Sequence, residues 1–220
     1  MAFKKFKFII SQCFSGSSLL RAHQNYDFMQ NVHVYGKTID LGAKNGNYEY
    51  HKLISQEIDT DMTYSDLYPK APNIVKVDFD KKLPLEDNSF DNILLFNVLE
   101  HVWNTENLLS ECNRILIQGG TFYGAVPFIF RYHPDPTDYW RFTSDAIEKL
   151  LVKNNFKKIE ITTQGVGCFT VSANTFTFLF KVKILVSIVW ALALFFDYLL
   201  SKVWSNNHTF YLGIFFKAQK

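Results

Sequence analysis

The stretch TIDLGAKNG, residues 38–46, decides the fold. A short β-branched and apolar run reaches an acid at Asp40 and turns at Gly42, as a parallel strand does when it ends in a tight turn. Outward from it, further short apolar runs alternate with helical patches. They lie at 55–59, at 74–77 before Asp78, at 90–97 (FDNILLFN), at 121–126, at 159–163 and at 209–217. FDNILLFN is nearly all apolar, as a central strand covered on both faces must be. Asn104 or Thr105 caps a helix carrying Leu108, Cys112, Ile115 and Leu116, and Gly119-Gly120 closes it. Thr143 or Ser144 caps another, with Ile147, Leu150 and Leu151 on one side. The alternation predicts a doubly wound α/β domain with a parallel sheet.

The chain has 220 residues, enough for one domain with a modest appendage. Residues 1–36 read as a helical preamble with a helix near 19–29 and no chemistry, and 37–220 as the main domain. Hydrophobic residues make up 48% and charged residues 20%, which excludes a disordered chain. The 23 basic and 21 acidic residues leave a formal charge of +2, which argues against nucleic acid as a general partner. Cys13, Cys112 and Cys168 are far apart with no CxxC pair, so neither a disulfide framework nor a metal site is read. The basic start MAFKKFKFII is interrupted by Lys7 before it reaches signal-peptide length. The expected location is cytoplasmic.

One segment stands apart. Ten of the 22 phenylalanines crowd the last third, and between 184 and 196 only Ser187 is polar. Lys181, Lys183 and Lys202 flank this run, with Trp190 and Trp204 as aromatic markers and Asp197 just past it. A spanning helix needs about twenty apolar residues, so the run is borderline. It sits in an insertion, 165–207, between two strands of one sheet, which places both its ends on the same side of any bilayer. Flanking lysines and tryptophans favour peripheral membrane contact through 176–204; apolar residues all round a helix fit burial against protein instead.

Ligands of open parallel sheets bind at the carboxyl ends of the strands. There the sequence places Gly42 and Gly46, then Asp59 or Asp61, then Asp78 with Phe79, and Asn97 followed by Glu100-His101. Glycine lets a backbone approach a ligand, and carboxylates accept from ribose hydroxyls and an adenine amine. Asp40, Asp59 and Asp78 are expected to converge on one groove.

Four pieces in order carry a resemblance: TIDLGAKNGNY, VDFDKKLPLEDNSFDNILLFNVLEHV, LLSECNRILIQGG and VPFIFRYHPDPTDYWRFT. Together they resemble a class I S-adenosylmethionine-dependent methyltransferase of the type 11-like group, and the last piece resembles a subgroup met in surface-polysaccharide biosynthesis. The resemblance implies a Rossmann-like sheet of seven strands, mostly parallel, with an antiparallel last strand following the hydrophobic helical insertion. It implies S-adenosylmethionine as cofactor, held by Asp40, Gly42 and Gly46, by Asp59 or Asp61 at the ribose, by Asp78 and Phe79 at the adenine, and by Asn97 near the sulfonium. The family's middle glycine is replaced here by Lys44. The implied reaction is O-methylation of a sugar in a surface glycan or its lipid-linked precursor. His133 and His101 are the candidate bases, His133 preferred because it follows the fifth strand; Asp138, Tyr139 and Arg141 would line the acceptor side. Two rivals remain: a decayed cofactor-binding scaffold, suggested by Lys44, and an NAD-dependent oxidoreductase, disfavoured because no G-x-G-x-x-G follows the first strand.

Overall fold

A computed structural model describes residues 3–44, 46, 48–204 and 209–220. Asn45 of the glycine turn and the end of the insertion, 205–207, lie outside the described residues. Seven strands form the main sheet: β1 (Lys37–Leu41), β2 (Asp61–Asp66), β3 (Ile74–Lys76), β4 (Phe90–Phe96), β5 (Leu116–Pro127), β6 (Lys157–Gln164) and β7 (Gly213–Gln219). Their order is β3-β2-β1-β4-β5-β7-β6, and only β7 runs antiparallel to its neighbours. From β1 the chain steps outward to β2 and β3, then returns to β4 on the other side. The strand order therefore reverses between β1 and β4, and a crevice opens at their carboxyl ends. β4 is central because Ile93, Leu94 and Leu95 are buried on both faces.

The second strand is not where the apolar run placed it. Ser55–Gln56 pairs with His33–Val34 in a separate two-stranded ribbon, and Ile58 is fully exposed. The sheet strand is DMTYSD, Asp61–Asp66, whose burial is concentrated at Ser65 and Asp66. Strand β5 also begins earlier than expected. Helix α3 (Thr105–Ile115) ends before Leu116, and Gly119, at φ 79°, lies inside the strand rather than closing the helix.

The E-x-x-R stretch of α3 proves to be a brace. Glu111 accepts the Leu83 amide at 2.8 Å and pairs with Arg114 at 2.6 Å, while Arg114 also donates to the Leu83 and Leu85 carbonyls. The Arg114 guanidinium holds the Glu111 carboxyl below its ordinary range. Arg114→Ala would leave Glu111 without its cation. The expected loss is about 2–3 kcal/mol for this partly buried pair, read as a fall in Tm of about 5–10 °C.

The N-terminal segment is part of the domain. Beyond α4 (Ser144–Lys153) come the insertion helices α5 (Cys168–Phe176) and α6 (Lys183–Leu200), and helices α1 (Phe3–Ser15) and α2 (Leu19–Asp27, capped by the Ser18 hydroxyl) pack with them. Their shared cluster includes Ile9, Leu19, Leu20, Trp190 and Leu194. Asp197, the single acid of the apolar run, faces inward and caps α5, accepting from the Phe169 and Thr170 amides at 3.1 and 2.6 Å. A Cβ on Gly167, at φ 130°, would overlap that carboxylate. The opposite side of α6 is open: Ile188, Leu192 and Phe195 are each about half exposed. By length and composition alone α6 could cross a membrane.

Candidate active site

At the carboxyl ends of β1, β2 and β4 lies a cleft of about 1070 Å³, its open mouth included. Its floor is the turn after β1. Gly42 has φ 89°, and a Cβ there would overlap Val98 Cγ2, so only glycine fits. The turn is clamped to β2. The Gly42 and Ala43 amides donate to the Ser65 carbonyl at 2.8 and 2.9 Å, and the Lys44 amide donates to Asp66 Oδ2 at 3.0 Å. Asp66 Oδ1 accepts from the Tyr68 amide at 2.9 Å. Lys44 adopts φ 50° and pairs through Nζ with Asp135 across the mouth.

Of the residues singled out from the sequence, Gly42, Asp78, Phe79, Asn97, His101 and His133 line this cleft. Asp40 lies beneath it, fully buried. One of its oxygens accepts from Tyr50 Oη and from His51 Nε2, both at 2.6 Å; the other has no hydrogen-bond partner among the described residues. Burial pushes its carboxyl up, opposed by those two donors. Gly46 packs on the Tyr64 ring rather than on the cleft. Asp59 and Asp61 are exposed and do not line it; Asp61 opens β2 at the opposite end of the sheet. Asp66, at the carboxyl end of that strand, occupies the place that reasoning from the displaced strand had given to them. The expected convergence of Asp40, Asp59 and Asp78 is therefore replaced by Asp66 and Asp78 on the wall, with Asp40 behind.

Asp138, Tyr139 and Arg141 are also outside the cleft. Asp138 is buried and grips Arg141 through two hydrogen bonds of 2.5 and 2.7 Å, and its carboxyl is held down to about 2 by that guanidinium. Arg141 spends its other donors on the carbonyls of Arg131 and Trp140. Tyr139 is exposed against Trp103. These residues brace the segment 130–141 that carries His133 to the cleft. Neither candidate base aims a ring nitrogen at open space: His101 Nε2 and His133 Nε2 each lie 3.7 Å from Glu100 Oε1. The Glu100 carboxylate raises the His133 pKa.

Several lining residues were not anticipated. Arg21 and Gln24 reach the cleft from α2, and Gln24 exchanges two hydrogen bonds, 2.9 and 3.1 Å, with the Asn97 side chain. Asn97 itself stands at φ 55°. Tyr48 and Tyr68 form the outer wall, and burial pushes Tyr48 up to about 12.

Residues 38–124 match the Methyltransf_11 family model, whose description is a methyltransferase domain. That segment is similar to a methyltransferase domain and spans about two fifths of the chain. The matched segment runs from β1 into β5, the half of the sheet that builds the cleft floor. A probable S-adenosylmethionine-dependent methyltransferase of Mycolicibacterium smegmatis is 40% identical over 53 residues, 24% of this chain and 21% of that protein. This chain thus covers about a fifth of that relative's length. Among solved structures, an S-adenosylmethionine-dependent methyltransferase of Archaeoglobus fulgidus superposes with a TM-score of 0.56 over 98% of this chain and 94% of its own, at 16% identity. Phosphoethanolamine N-methyltransferase 2 of Haemonchus contortus, solved with S-adenosyl-L-methionine, has a TM-score of 0.53 at 16% identity, covering 90% of this chain and 52% of its own. Both likenesses show the Rossmann-like fold. The helices α1 and α2, the segment 130–141 and the insertion lie outside the segment matched by the family model.

S-adenosylmethionine is the cofactor of this domain type, and the cleft's donor set fits it. Asp66 presents a nearly buried carboxylate for vicinal hydroxyls. Asp78 and Phe79 offer an acceptor and an aromatic face for a purine, and Gly42 leaves room for close backbone approach. The Lys81 ammonium beside Asp78 holds that carboxyl below its usual range, so it is an acceptor at neutral pH.

Proposed function

We propose that the protein is an S-adenosylmethionine-dependent O-methyltransferase acting at a membrane surface, with a sugar hydroxyl of a surface glycan or its lipid-linked precursor as acceptor. The observation that carries the reading is the placement of Gly42, Asp66, Asp78 and Phe79 around one cleft, with the imidazoles His101 and His133 at its inner end. When bound, S-adenosylmethionine would supply an electrophilic methyl carbon on a sulfonium, open to in-line attack by the acceptor oxygen with the thioether as the leaving group. The chain's part is positioning: Asp66 and Asp78 hold the nucleoside, and the Gln24–Asn97 pair fixes the inner wall. Segment 130–141, braced by Asp138 and Arg141, closes the acceptor end. Such orientation is worth about 7–11 kcal/mol in well-aligned systems. Lys44 supports a working site rather than a decayed one, because Asp135 neutralises its charge near the place a sulfonium would take.

The lipid-linked acceptor is motivated by α6. Its outward face and the exposed Phe176, Phe178, Leu179 and Phe180 beside it form an apolar surface flanked by Lys181, Lys183 and Lys202. That pairing of apolar side chains with cations suits the anionic cytoplasmic leaflet, with the helix lying in the interface rather than spanning it. The test is transfer of labelled methyl from S-adenosylmethionine into membrane extracts of the source cells. Label in an O-methyl sugar released from the lipid-linked fraction is expected. Cofactor binding with no label in any sugar would overturn the acceptor assignment.

A further inference from the structure

The inner end of the cleft holds a cluster that the cofactor does not use. Glu100 sits in the single turn Leu99–His101 after β4, its side chain wholly buried, and neither carboxylate oxygen has a hydrogen-bond donor among the described residues. An unsolvated carboxylate is costly unless a cation meets it. His101 Nε2, His133 Nε2 and a Glu100 oxygen lie within 4.8 Å of one another.

The protons on the two rings are settled by their far sides. His101 Nδ1 contacts the Thr137 carbonyl oxygen, and His133 Nδ1 lies 3.1 Å from both the Arg131 carbonyl and Asp138 Oδ2. These three partners are acceptors, and Arg141 Nη2 also approaches His133 Nδ1 at 3.5 Å; a hydrogen on each Nδ1 turns an Nε2 lone pair towards Glu100 when an ion replaces the proton there. Two imidazole Nε2 atoms and a buried carboxylate face one another across a space of atomic size. Their 3.7 Å separations are too long for hydrogen bonds. They are close to the about 3.4 Å that separates tetrahedral ligands held about 2.1 Å from a metal. Backing each imidazole through Nδ1 by a carbonyl or carboxylate is the outer-shell arrangement of metal-bound histidines.

We infer that Glu100, His101 and His133 bind a divalent metal ion that accepts mixed imidazole and carboxylate ligands, zinc foremost, for which manganese serves as the paramagnetic probe. The reading of the sequence contained no such site, because His133 lies far along the chain and only the braced segment 130–141 returns it to Glu100. Three protein ligands leave a coordination position open, the layout of catalytic rather than structural ions, and both histidines line the cleft. An acceptor hydroxyl entering that position would lose its proton more readily to solvent. This use of the ion rests on the proposed reaction; the binding of the ion does not.

The experiment uses the untagged full chain after dialysis against a chelator, titrated calorimetrically with Zn²⁺ and with Mn²⁺. One ion per chain is expected. Glu100→Gln and His133→Ala should each weaken binding by at least about 100-fold, beyond the about 10–100-fold typical of outer-shell changes. Circular dichroism and the Tm of the same variants report that they are folded, and S-adenosylmethionine titration of the wild type separates failure of this site from failure of the cofactor reading. Pulsed EPR of the Mn²⁺-loaded wild type needs no variant and should show nitrogen couplings from imidazole. No stoichiometric binding of either ion, binding that survives both substitutions, or a manganese spectrum without nitrogen coupling would overturn the assignment and leave protons as the counter-charge of Glu100.

Discussion

Asp66→Ala is expected to weaken S-adenosylmethionine binding by at least about 100-fold, and Asp61→Ala, on the same strand, to leave it within about twofold. Asp66 is only 8% exposed, yet it lines the cleft. A carboxylate that accepts from two hydroxyls gains about 1.5–3 kcal/mol for each charge-assisted bond, and about 2.7 kcal/mol already corresponds to 100-fold. Removing the side chain has a second effect, because the Lys44 and Tyr68 amides lose their acceptor and the turn after β1 loosens. Asp66→Asn removes the charge but keeps an oxygen for one of the two amides, its NH2 group facing the other, so an intermediate loss should follow. Asp61 stands five residues away at the other end of β2, about 16 Å along an extended strand, and touches nothing in the cleft. Calorimetric titration with S-adenosylmethionine reads all three variants. Equal affinities for Asp66→Ala and wild type would remove the cleft as the nucleoside site.

That pair of substitutions also marks the boundary of what could be read without coordinates. Strand β4 was legible because its burial is mostly apolar, and β1 because a short buried run ends at Gly42, whose backbone demands glycine. Strand β2 was not, since DMTYSD is held by main-chain pairing to β1 and β3 while its side chains stay largely polar. The apolar Ile54 and Ile58 just upstream drew the strand away from its true register. Position along a strand decides which acid meets a ligand, so a shift of a few residues exchanged Asp66 for Asp59 or Asp61. The DYWRFT segment failed differently. Its charged residues read as recognition groups, yet Asp138 and Arg141 satisfy one another, and no local pattern distinguishes a salt bridge that braces a loop from one that awaits a substrate. The roles of Gln24 and Arg21 depend on α2 folding back over the sheet, a tertiary fact with no periodic trace.

The largest effect is expected at the exposed apolar face of α6. Ile188, Leu192 and Phe195 follow helical spacing on the outward side of α6, at 50%, 51% and 52% exposure, while Trp190, Ala193, Leu194 and Asp197 turn inward. Moving three such side chains from water into acyl chains contributes about 1.5–3 kcal/mol each if fully buried, and a glutamate in their place adds the cost of desolvating a charge. The combined I188E/L192E/F195E variant should therefore lower partitioning onto vesicles containing phosphatidylglycerol by at least about 1000-fold. Its Tm should stay within a few degrees of wild type, because the three side chains lie outside the cluster that joins α6 to α1. Wild type should bind neutral phosphatidylcholine vesicles more weakly than anionic ones, since lysines near the surface contribute about 1 kcal/mol each, and added salt should narrow the difference. Co-sedimentation with the two kinds of vesicle measures this directly. If wild type ignores both, or the triple variant still binds, the face is covered by protein rather than lipid, and the argument for a lipid-linked acceptor falls while the cofactor cleft stands.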